Sequence, residues 1–391
     1  MQVQTVVSPV TAGSNTQTGK IIYIDNLKVM LTILVVLHHT FITYGAPGGW
    51  YYAEKTTHTA ALIPMTLFVA TNQSFFMGFF FFISAYFTES SFHKKGAARF
   101  TADRLKRLGI PLIFYSFILS PVLSYLVYRF ALGHDIPYVD YLHGFHPWID
   151  FGVLWFVAAL LTFSLLYVGI MLLFKSNKPS QPEPGKLPPV NKIVLFALTL
   201  ALGSYLVRSV FPVGWVLKPV GFQLGHFVQY IALFALGIVA SRGQWLQVVS
   251  YKMGKGFAAM VALMIVVLFP IIYYIKIVTN SPIETFNGDG HWQSLMYACW
   301  EQFTGIFIIL ALLGIARQKW NSQSVFMKNM SRATFAVYIF HPLVLISLSM
   351  LFRPFHTDPA IKLLFVAPLA VIGSFALGDL LVKIPGVKAI I

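Results

Sequence analysis

Ten stretches of mostly apolar residues recur along the chain, separated by short loops that are polar or charged. About 20 residues at 1.5 Å each cross the hydrocarbon core of a bilayer, so runs of roughly 18 or more signal membrane helices. The pattern predicts spans near 27–44, 64–88, 109–131, 152–174, 192–210, 223–241, 257–278, 293–316, 333–352 and 360–382. The expected fold is all-α, a polytopic membrane protein. Neither a repeat of 20–50 residues nor an inverted pair of broken helices of the transporter kind stands out.

Composition agrees with the pattern and excludes other classes. Of 391 residues, 57% are hydrophobic and only 10% charged, against roughly 25% charged in soluble domains. The single cysteine, Cys299, has no intramolecular partner and lies in an apolar run, which excludes a disulfide-stapled secreted domain. The net charge of +15 is not gathered into a patch with interleaved aromatics, so no nucleic acid partner is implied. Instead it follows topology. With the amino terminus inside, 21 of the 28 Lys and Arg fall on the cytoplasmic side, as expected for ten spans with both termini cytoplasmic. Residues 1–20 are rich in Ser, Thr, Gln and Gly and lack the features of a signal peptide, which reads as a disordered cytoplasmic tail. Residues 21–391 then form one integral-membrane domain. The Pro-rich stretch 175–192 is an extended cytoplasmic linker separating four helices from six.

Ionisable groups inside a membrane helix are costly and mark function by default. In the first span, Lys28 and His39 are 11 positions apart, close to three helical turns, so they share a face about 16 Å apart along the axis. His38 points roughly 100° away. Arg99, Asp103 and Arg107 recur every four residues in an interfacial helix leading into the third span, where Asp103 can pair internally. Permanently charged planar donors there, Arg104 and Arg107 among them, suit a polyphosphate ligand such as a nucleotide or coenzyme A. Glu301, about eight residues inward from the outer end of the eighth span, falls at a depth similar to His39 and is placed to orient an imidazole. Tyr338 and His341 share a face of the ninth span, and Asn72, Gln73 and Ser74 interrupt the second. Each has a plainer alternative: snorkelling for Lys28, topogenic anchoring for the arginines, and packing through hydrogen bonds for the others. The loop histidines His134, His143 and His146 lack the companion ligands of a zinc motif, so no metal is expected.

The stretches Tyr23–Tyr44, Phe75–Phe87, Arg99–Pro111, Leu154–Phe156, Trp300–Phe303 and Ser331–Pro342, in this order on ten spans, resemble the membrane-bound acyltransferase 3 family of bacterial O-acyltransferases. The opening stretch is most similar to the glucan biosynthesis protein C type, whose members are associated with succinylating periplasmic glucans. The resemblance implies a multi-pass protein of the bacterial inner membrane. Its essential histidine matches His39, its paired third-span arginines match Arg104 and Arg107, and Glu301 matches an intramembrane acid of related members. Lys28 stands where the family commonly has Arg, which keeps the charge but loses the planar fork.

The function expected is transfer of an acyl group, acetyl or succinyl, from cytoplasmic acyl-CoA across the membrane to a hydroxyl of an extracytoplasmic glycan. The CoA phosphates would bind Arg104 and Arg107, with Lys28. His39 would act as general base or as acyl carrier, Glu301 would orient it, and His38, Tyr338 and His341 would support the site. Acyl-CoA is then a donor substrate, and no covalently bound cofactor is expected. The resemblance brings no soluble domain after the last span, so the membrane domain or a partner would complete acceptor transfer. The rival reading is a proton-coupled solute transporter built on the same buried His and Glu. Oligomeric state, acyl group and acceptor are open at this level.

Overall fold

A computed structural model describes residues 21–174 and 185–390. The expected tail at 1–20 and the 175–184 part of the expected linker lie outside the described residues. Residues 185–189 are irregular, and Gly185 donates its N–H to the Gly243 carbonyl at 3.0 Å.

All ten expected spans are present as long apolar helices: α1 Ile22–Thr43, α2 Thr59–Lys95, α3 Ala97–Ala131, α4 Gly152–Leu173, α5 Val190–Arg208, α6 Leu224–Arg242, α7 Tyr251–Val278, α8 Trp292–Lys319, α9 Val325–Phe352 and α10 Pro359–Leu381. Among the described residues there is no β-strand beyond one isolated bridge, Leu217 to Phe222. Several helices begin earlier than hydropathy indicates, α3 by 12 residues and α9 by eight. Their first turns carry charge, but no proline or glycine stops the helix there, so it continues beyond the apolar stretch.

Helix α1 lies at the centre, packed on α2, α8, α9 and α10. Around it α9 packs on α10, α6 on the middle of α2, and both α5 and α7 on α8. Burial follows this order. In α8, 72% of the apolar window is buried, against 11% in α7, so α8 is interior and α7 presents its apolar surface outward.

Two helices widen in a regular way. Helix α3 contains π-helical turns at Leu105–Gly109 and Tyr115–Leu119, and α7 one at Met264–Leu268. Each is followed two residues later by a proline: Pro111, Pro121 and Pro270. A proline ring strikes the carbonyl four residues back, here Arg107, Phe117 and Val266, the middle residue of each wide turn. Widening the turn relieves the clash without breaking the helix. No proline accounts for the further π turn at Val127–Ala131.

Helix α2 is a different case, because it breaks at Ser74–Phe75 in the interior. A break at membrane depth frees backbone groups that need partners. The Ser74 carbonyl receives the Gln229 side-chain N–H from α6 at 2.8 Å. Helix α8 approaches the same carbonyl so closely that a Cβ at Gly305 would come to 2.0 Å from it. Glycine is therefore required where α8 crosses the break.

Gly305→Ala is expected to destabilise the bundle by about 1–3 kcal/mol, the usual range for forcing atoms into a packed core. Gly49→Ala, where no atom lies within 4 Å of the added Cβ, serves as the neutral control. The two are compared by the thermal melting temperature of detergent-solubilised protein, and equal melting temperatures would contradict the close-approach argument.

Candidate active site

His39, near the C-terminal end of α1, is held by a chain of hydrogen bonds. His341 of α9 is completely buried, with Nδ1 at 2.9 Å from the Tyr338 carbonyl and Nε2 at 3.0 Å from Nδ1 of His39. A carbonyl only accepts, so Nδ1 of His341 is the donor. In a neutral ring this leaves Nε2 of His341 as an acceptor, and Nδ1 of His39 then carries the donated proton. By this relay Nε2 of neutral His39 keeps its lone pair. That is the arrangement a general base needs: one ring nitrogen fixed, the other basic.

Stacking holds the imidazole in the perpendicular direction. Trp50, from the loop joining α1 to α2, lies over His39 with ring centres 4.1 Å apart and planes 21° apart. Its loop is a strap pinned at several points. Tyr51 and Tyr115 of α3 share a hydroxyl hydrogen bond at 2.6 Å. Glu54 pairs with the buried Lys362 of α10 at 2.5 Å, and the Thr56 hydroxyl donates to the Asp358 carboxylate at 3.0 Å. Burial raises the Tyr51 phenol well above its ordinary range, which keeps it a neutral hydrogen-bonding group. The strap turns back through Gly48, at φ +146°, where a Cβ would meet Ile42 at 2.6 Å.

His38 faces another way, as its spacing predicts. Asn72 Nδ2 donates to its Nδ1 at 3.2 Å, and Phe76 stacks on it at 5.0 Å. Beyond it lies a second polar system. Arg208 at the end of α5, with no exposed surface, places Nη2 2.5 Å from Glu301 Oε2. The same nitrogen lies 3.1 Å from His226 Nδ1, and Arg208 Nε donates to the Gly225 carbonyl at 3.0 Å. Gln302 donates to Glu301 at 3.2 Å and accepts from Gln229 at 2.9 Å, which links this ion pair to the break in α2.

This corrects one expectation. Glu301 is buried, but its carboxylate is held by Arg208 and Gln302, and the group that orients His39 is His341. A buried carboxylate needs a full counter-charge, and Arg208 meets that need better than a neutral imidazole. Tyr338 is also committed elsewhere, since its hydroxyl donates to the Val153 carbonyl.

At the other end of α1 the cations converge. Lys28 Nζ lies 3.3 Å from Asp25 and 5.6 Å above the Phe87 ring, while Arg104 Nη2 reaches the neighbouring Thr88 hydroxyl at 3.4 Å. Arg104 is half-buried over Phe100, and Arg107 is exposed. Asp103 pairs with Lys95 at 2.7 Å rather than with Arg99 or Arg107. The arginines therefore keep their charge for another partner.

Arg208, His226 and Trp50 escape a reading of the spans one at a time. Arg208 and His226 fall inside the fifth and sixth apolar stretches, and that position was a usable signal. Trp50 follows Gly48 and Gly49 in a short loop, and nothing local connects it to His39.

Residues 21–379 match the family described as Acyltransferase domain. The chain is also similar to proteins named Glucans biosynthesis protein C. It is 24% identical over 225 residues to that of Salmonella paratyphi B, covering 56% of this chain and 57% of the relative. To that of Escherichia coli it is 24% identical over 231 residues, again covering 56% and 57%. The chain thus spans just over half the length of these curated relatives. No solved structure matches it. With ten apolar helices and a family match over nearly its whole length, this chain belongs to the acyltransferase family and is a multi-pass membrane protein.

Proposed function

We propose that the protein transfers an acyl group from acyl-CoA, bound at the Lys28 end of the bundle, to a hydroxyl acceptor that meets it at His39. The observation that carries this reading is the hydrogen-bonded pair of His39 and His341, which leaves Nε2 of His39 basic. The cationic cluster of Lys28, Arg104 and Arg107 stands at the far end of α1, about 16 Å away along the helix. An extended pantetheine arm has the right length for such a gap.

In this reading Lys28, Arg104 and Arg107 hold the nucleotide phosphates at the cytoplasmic face, where guanidinium groups bind phosphate as planar donors. His39 takes the proton of the acceptor hydroxyl, and His341 steadies the imidazolium that forms. The ion pair of Arg208 and Glu301 carries equal and opposite charge and holds α5 and α8 beside the site. The acceptor is an extracytoplasmic glycan, a choice supported by the name of the similar proteins. The acyl group is acetyl or succinyl, and the membrane is the bacterial inner membrane, as the bias of Lys and Arg toward one side supports.

Purified protein supplied with acetyl-CoA or succinyl-CoA and a periplasmic glycan extract is expected to release CoA thiol faster with the extract than without it. His39→Ala should lower acceptor-stimulated release by roughly 10²–10⁴-fold, the span of general base catalysis, with CoA affinity unchanged. Wild-type turnover in His39→Ala would remove the role given to this residue. Arg104→Ala should weaken CoA binding about tenfold or more, as expected for a lost charge-assisted bond, with little change in kcat at saturating donor. Flux of a solute driven by a proton gradient, with no CoA release, would favour a transporter instead.

A further inference from the structure

Attack on a thioester turns the carbonyl oxygen into an oxyanion, and the site needs a donor aimed at it. Most of the donors near His39 that the sequence suggests are engaged. Tyr338 donates to the Val153 carbonyl, Asn72 to the Leu34 carbonyl and His38, Gln73 to Tyr230, and Ser74 to the Thr71 carbonyl. Two donors on rings in contact with the imidazole have no partner among the described residues: His38 Nε2, left with the proton when Nδ1 accepts from Asn72 but on a ring at 90° to His39, and the indole N–H of Trp50, whose ring lies parallel to it. Trp50 Nε1 is buried without a hydrogen-bond partner, on a ring that stacks against His39 at 4.1 Å. Other buried donors lack partners among the described residues, Arg208 Nη1 and Thr304 Oγ1 for example. Neither shares a ring contact with His39.

A buried N–H without a partner costs stability, and natural structures keep few of them. Here the strap holds the indole at that cost: its neighbour Tyr51 is tied to α3, and Glu54 and Thr56 are tied to the start of α10. The N–H of an indole and the lone pair of an imidazole both lie in their ring planes. Two planes 21° apart therefore set a donor and a base in adjacent, nearly parallel layers. A tetrahedral carbon bearing one oxygen for each layer fits this arrangement.

We propose that Trp50 is a catalytic residue whose Nε1–H donates to the thioester carbonyl oxygen as charge develops on it. This rests on the acyl-transfer reading above. In the step, the acceptor oxygen forms a bond to the thioester carbon while its proton passes to His39 Nε2. The carbonyl π pair moves onto oxygen, which accepts the Trp50 hydrogen bond. The pair then returns, the C–S bond breaks, and the departing sulfur takes the proton from His39, giving the ester and free CoA thiol. His39 and Trp50 end as they began.

The test compares wild type, Trp50→Phe and His39→Ala by CoA release from acetyl-CoA and succinyl-CoA with the glycan extract. Trp50→Phe keeps an aromatic plate over His39 and loses only the N–H and one ring. Its kcat should fall about 10²–10³-fold, the usual effect of removing one oxyanion donor. KM for the donor should change less than about threefold, as for an interaction made only in the transition state. A Trp50→Phe kcat within about threefold of wild type, at equal melting temperature, overturns the proposal and leaves Trp50 as a stacking plate. If Trp50→Phe is unfolded, benzothienylalanine at position 50 preserves the bicyclic shape and replaces N–H by sulfur. It must show the same loss of kcat. Absence of acyl transfer in wild type overturns the acyl-transfer reading, a result distinct from failure of the Trp50 role alone.

Discussion

The arrangement of this bundle depends on the cost of leaving a polar group unpaired where water is absent. Inside a membrane helix a carboxylate, a guanidinium or a broken backbone turn must find its partner within the protein. The break in α2 at Ser74 draws in Gln229. Gln229 holds Gln302, Gln302 holds Glu301, and Glu301 holds Arg208. One freed carbonyl thus leads, through successive pairings, to a fixed relation among α2, α5, α6 and α8. Gly305 permits this by letting α8 approach the break.

The same constraint works at His39 with a different result. The Tyr338 carbonyl settles the tautomer of His341, and His341 settles that of His39. Two neutral rings in sequence thereby transmit a direction: the donor end is anchored in backbone and the acceptor end is Nε2 of His39. An ion pair would orient the ring too, but it would add a charge whose desolvation is expensive. The other buried carboxylate, Glu301, is paired with Arg208 through Oε2, which keeps the two polar systems distinct in chemistry though they share α1 and α2 as neighbours.

The strap between α1 and α2 shows how a short loop becomes part of a site. Its 15 residues, 44–58, carry Trp50 onto His39. Contacts with Tyr115, Lys362 and Asp358 hold the loop across the helix ends. Loops usually supply function from a rigid scaffold, and here the scaffold is two helices, α3 and α10, that a single span could not provide. The cations at the opposite end of α1 obey a simpler rule, since helical periodicity alone sets Lys28 and His39 on one face.

By itself the sequence determined the ten spans, their all-α class, the family resemblance, and the two ends of α1 that carry Lys28 and His39. These follow from run length and from the period of the helix, which act over neighbouring residues. The partners of His39 and Glu301 were a different matter. His341 is 302 positions from His39, and Arg208 is 93 from Glu301. Depth in the bilayer made Glu301 and His39 plausible neighbours, yet depth leaves the angle around the bundle open. Packing decided it: α9 brought an imidazole to His39, α5 brought a guanidinium to Glu301, and the strap brought Trp50. Such choices rest on which helices touch, and that is a property of the whole bundle, because any one apolar face can pack against several others at nearly the same energy.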